Sequence, residues 1–132
     1  HVRVFISSET PLPDDLKPYE MKLPPERLHD ALYYATLCVS EGGTTAIEAA
    51  VLGTPAIHVS TTARLCGVFH ELSQKYGLLY PIEDTAETIG MALDLASRED
   101  VKNHWARRRK RMLEDKIDVT RFMVEMAEKH AG

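Results

Sequence analysis

The residues best suited to chemistry lie between Ser40 and Glu48, where Ser40-Glu41-Gly42-Gly43-Thr44-Thr45 runs into Ala46-Ile47-Glu48. Paired glycines free the backbone for positive φ, and Thr44 reads as the N-cap of an alanine-rich helix. Such a helix start aims unpaired N–H groups past no side-chain bulk, beside the hydroxyls of Ser40, Thr44 and Thr45. That suits an anion, most often a phosphate. Glu48 is the only charge between Thr44 and Pro55 and falls one turn after Thr44 on the same face. A carboxylate so close to a phosphate needs donors of its own, and the vicinal hydroxyls of a ribose would serve. Together these residues point to a nucleotide. Two plainer readings stand beside it: a tight turn that merely needs glycine, and an acid that favours the positive end of a helix dipole from solvent.

A second polar cluster, Ser60-Thr61-Thr62-Ala63-Arg64, follows the apolar run Thr54 to Val59. In an open parallel sheet, ligands sit at the carboxyl ends of the strands. This loop is therefore expected beside the glycine turn, with Ser60, Thr61, Thr62 and Arg64 near a sugar or phosphate. Against that, a single arginine is commonly just a solvated charge. The six histidines are scattered, and His70-Glu71-Leu72-Ser73-Gln74 has glutamine where a helical zinc site needs its second histidine. Neither a metal nor a separate cofactor is expected.

These groups need a strand, a turn and a helix to position them. Thr36 to Ser40 reads as a buried strand, and Gly53 with Pro55 stops the helix that follows the turn. Val2 to Ser8 alternates and is rich in β-branched residues, so it too reads as a strand, with extended structure returning around Tyr19-Glu20-Met21. A helix opens at Pro24-Pro25 and carries Leu28, Leu32 and Ala35 toward the sheet, with Tyr33 and Tyr34 packing at the core edge. Thr54 to Val59 is another strand. Cys66 to Tyr76 reads as a helix with Val68, Phe69, Leu72 and Tyr76 inward, and Leu78 to Pro81 as a strand. Asp84 and Glu87 form a capping box for a helix whose inward face is Ala86, Ile89, Leu93 and Ala96. Strand and helix alternate, which implies an α/β fold: a Rossmann-like parallel sheet with helices on both faces.

From Arg98 two helices follow with no strand between. One carries Val101, Trp105 and Met112 inward and Arg107 to Arg111 around its circumference. The other carries Val119, Phe122, Met123 and Met126. The basic run reads as a solvated face balanced by Glu99, Asp100, Glu114 and Asp115. The expected organisation is one domain over 1–132, an alternating core over 1–97 and a helical extension over 98–132.

The chain has 132 residues, 44% of them apolar, and a formal net charge of -4. That is enough for one core and gives no electrostatic reason to expect nucleic acid. No apolar run is long enough to cross a bilayer. Cys38 and Cys66 make no disulfide framework and suit a reducing cytoplasm, so a cytoplasmic location is expected. The chain opens directly in strand-like sequence, which suggests an excised piece whose N-terminal context lies elsewhere.

The run Ser40 to Ile57 resembles the donor-site motif in the C-terminal domain of GT-B-fold proteins. The relatives it is most similar to are UDP-N-acetylglucosamine 2-epimerase and an uncharacterised prokaryotic GT-B-like family, whose C-terminal stretch also resembles Leu113 to Thr120. The similarity spans nearly the whole chain. It implies that Ser40, Gly42, Gly43, Thr44 and Thr45 hold the diphosphate of a nucleotide-sugar, UDP-linked in those relatives, and that Glu48 holds the ribose. The base would lie against Met21 to Pro24. Glu41 departs from the Ser-Gly-Gly usual in the epimerase. The resemblance also implies a missing N-terminal domain of the same chain, which would carry the acid or base and onto which the last helices cross. No catalytic residue is assigned, and the isolated chain is expected to be inactive. Two other classes remain open. One is a non-catalytic module that keeps the scaffold without the ligand. The other is a phosphosugar site of the isomerase kind, which would be indifferent to Glu48→Ala. Dimerisation through an exposed sheet edge is also left open.

Overall fold

A computed structural model describes residues 2–61 and 66–131. Three parallel strands, β1 (Cys38–Ser40), β2 (Ala56–Val59) and β3 (Leu79–Ile82), lie in the order β1-β2-β3, which puts Ser40 beside His58 and His58 beside Pro81. Successive strand residues point to opposite faces, yet Ala56, Ile57 and His58 are all buried, so the central strand is covered on both sides. β1 and β3 are edges. Pro81 has no N–H to donate and stands on an edge strand, where that loss is tolerated.

Helix α1 (Leu28–Tyr34) precedes β1, and α2 (Gly43–Leu52) joins β1 to β2. Ala46, Ala49 and Ala50 have no accessible surface, and their small side chains let α2 lie close on β1 and β2. Gly53 then takes φ 87°, donating to Ala50 while Thr54 donates to Ala49, which closes the helix as its sequence predicts. α1 packs chiefly on α2 rather than on the sheet. Leu32 and Leu28 join the core, but Tyr33 and Tyr34 stack edge to face 5.1 Å apart in largely exposed positions, not at the core edge.

Helix α3 (Gly67–His70) runs into a π-helical turn over Glu71–Lys75, where Tyr76 N–H reaches back five residues to Glu71. Phe69, Leu72 and Tyr76 face inward as expected, whereas Val68 faces out. Asp84 caps α4 (Thr85–Ser97) by accepting from Glu87 N–H at 2.7 Å. The inward stripe of α4 is a different one from that read in the sequence. Thr88 and Leu95 are buried, with Met91 and Ala92 against the core, while Ala86, Ile89 and Leu93 are exposed. Both stripes have helical spacing, so periodicity alone does not choose between them. Thr88 Oγ1 bonds the Asp84 carbonyl, so this polar residue is satisfied where it is buried.

α5 (Val101–Asp115) buries Val101, Trp105 and Met112. Trp105 Nε1 donates to the Leu78 carbonyl at 2.9 Å, and the Arg108 guanidinium lies 4.3 Å from the Trp105 ring. The basic run is not simply a solvated face. Lys102 donates to the carbonyls of Tyr33 and Ala35 at the end of α1 and to Thr54 Oγ1, at 2.8–2.9 Å. Arg109 donates to Val51 at the end of α2, and Arg108 and Arg111 to Gly77 and Lys75 where the α3 segment ends, each at 2.7 Å. Carbonyls left over at three helix ends thus find cationic donors on one neighbouring helix. Lys110 follows the expected pattern, 3.9 Å from Glu114, and Arg107 is likewise exposed, with a 3.3 Å contact to His104 on its own helix.

Two expectations about the ends change. Val2 to Ser8 is not a sheet strand: Ile6 makes a single parallel bridge with Glu20, and Val2, Val4 and Phe5 are exposed. β-propensity needs a neighbour to pair with, and here the pairing lasts one residue. α6 (Val119–His130), capped by Asp118, leaves Val119, Phe122, Met123 and Met126 exposed.

Candidate functional site

The turn between β1 and α2 is built differently from its expected form. Ser40 Oγ accepts from Gly42 N–H at 3.0 Å and lies at the same distance from the Gly42 carbonyl. This closes the turn two residues early. Gly42 (φ -73°, ψ 115°) becomes the N-cap and Gly43 the first helical residue, so Thr44 lies inside the first turn rather than capping it. Neither glycine takes positive φ; among the described residues only Gly53 and Gly77 do. Close approach explains Gly43 instead. A Cβ there would stand 2.9 Å from Phe69 Cζ, on a buried ring that cannot easily withdraw.

The N-cap Gly42 has no side chain to cap α2, and among the described residues nothing accepts from the N–H groups of its first turn, with Thr44 exposed and Thr45 half-buried beside them. Glu48 is half-buried one turn on, and its Oε1 lies 3.4 Å from His29 Nε2 on α1. His29 was not singled out in the sequence, since a lone exposed histidine early in a helix carries no signal. The contact places the start of α1, four residues beyond the Met21–Pro24 segment, on the Glu48 side of α2.

His58 was missed as well. It is 4% exposed, and its ring stacks on Phe69 with centroids 4.6 Å apart. Nδ1 lies 3.1 Å from the Ser40 carbonyl, which can only accept, so Nδ1 carries a proton. Ser60 and Thr61 leave β2 at the same end of the sheet as the glycine turn, and Ser60 N–H bonds the Ile82 carbonyl. Thr62 and Arg64 lie outside the described residues. Cys38, half-buried in β1, has its thiol pushed up to about 11 by burial, so it is no ready nucleophile.

The structure therefore brings Ser40, Gly42, Gly43, Thr44, Thr45 and Glu48 onto one turn and the helix it opens, with His58 below. Comparisons with family models, curated proteins and solved structures give no match.

Proposed function

We propose that this chain binds a nucleoside-diphosphate sugar, with UDP as the nucleotide, as the donor half of a GT-B-like glycosyltransferase or sugar-nucleotide epimerase. The observation that carries this reading is the uncapped first turn of α2, with its threonine hydroxyls, at the carboxyl end of β1. The diphosphate would take the amides of Gly43, Thr44 and Thr45, and Glu48 would take the ribose hydroxyls in exchange for its contact with His29. In transfer and in epimerisation alike, negative charge grows on the diphosphate as the sugar bond breaks, and fixed N–H groups stabilise it. No acid or base is assigned, and the catalytic groups would come from an N-terminal domain of the parent protein.

Titrating UDP into ¹⁵N-labelled protein tests the reading. Binding shifts the Gly43 to Thr45 amides, and Glu48→Ala weakens UDP roughly tenfold while leaving inorganic pyrophosphate unaffected. Silence at those amides sinks it.

A second reading has its own support: Phe69 against Gly43 and His29 against Glu48 give both residues partners within the protein. On that reading the chain is a non-catalytic module, and UDP leaves the spectrum unchanged.

A further inference from the structure

We draw no further inference here: the strongest candidate, the apolar stripe of Val119, Phe122, Met123 and Met126 exposed along α6, is an unpartnered helix face, and nothing in the structure shows what covers it.

Discussion

Replacing Lys102 by methionine tests whether α5 is held by hydrogen bonds to helix ends or by apolar burial alone. The ammonium makes three contacts, to the Tyr33 and Ala35 carbonyls and to Thr54 Oγ1. A hydrogen bond to a charged group is worth about 1.5–3 kcal/mol when its partner is left without water. The Tyr33 carbonyl is exposed and regains a water, so it contributes little. The other two lie in part-buried surroundings, and Thr54, fully buried, keeps the hydroxyl proton it shares between the Leu32 carbonyl at 2.7 Å and the Tyr33 carbonyl at 3.4 Å but loses the donor to its oxygen. Two bonds at about 1.5 kcal/mol each give roughly 3 kcal/mol. Burial disfavours the charge and pushes the pKa of Lys102 below its ordinary value, so the net loss is smaller than that sum. The expected loss is about 2 kcal/mol, or roughly 5–10 °C in Tm. Urea unfolding followed by fluorescence of Trp105, the single tryptophan, measures it. Lys110→Met is the control, since that residue has only a 3.9 Å exposed contact with Glu114 and should change stability by less than about 0.5 kcal/mol. Equal losses in the two variants would refute the reasoning.

Gly43→Ala sets helix propensity against packing. Propensity favours alanine by about 1 kcal/mol, but the new methyl meets Phe69 Cζ at 2.9 Å, so a net loss of about 1–2 kcal/mol is expected. Phe69→Leu in the same chain should recover part of it, and thermal melts of the two variants decide. Asp115 supplies a pH dependence. The Lys75 ammonium at 3.1 Å and the Tyr76 hydroxyl at 3.1 Å hold its carboxyl below the ordinary value of 3.8. A depressed carboxylate contributes above the unfolded value, and the contribution is lost as pH falls through the folded one. Urea midpoints of wild type and Asp115→Asn should therefore differ at neutral pH and converge below pH 3.8. A gap that persists in acid contradicts the assignment.

Local chemistry was legible in the sequence wherever one residue dictates one geometry. Gly53 could be read because only a left-handed closure suits glycine before Thr54-Pro55, and Asp84 because a carboxylate three residues before Glu87 caps a helix. The α/β alternation followed from the same local signals. What stayed hidden depends on distant neighbours. Gly42 and Gly43 look like a positive-φ turn until Phe69, more than twenty residues on, is seen to need the space. Choosing between two apolar stripes on α4 required knowing where the sheet lay. Arg108, Arg109 and Arg111 read as a charged surface because nothing in the sequence reveals that two helices end beneath them. His29 and His58 carry no motif, and only folding brings them to Glu48 and to the glycine turn.

The cations of α5 also make the molecule electrically lopsided. They neutralise the negative poles of α1, α2 and the α3 segment, while the positive pole of α2 keeps no acidic cap. The contacts that tie α5 to α2 thus lie at the opposite end of that helix from the glycine turn, so α5 can vary to tune the scaffold while the turn is left alone.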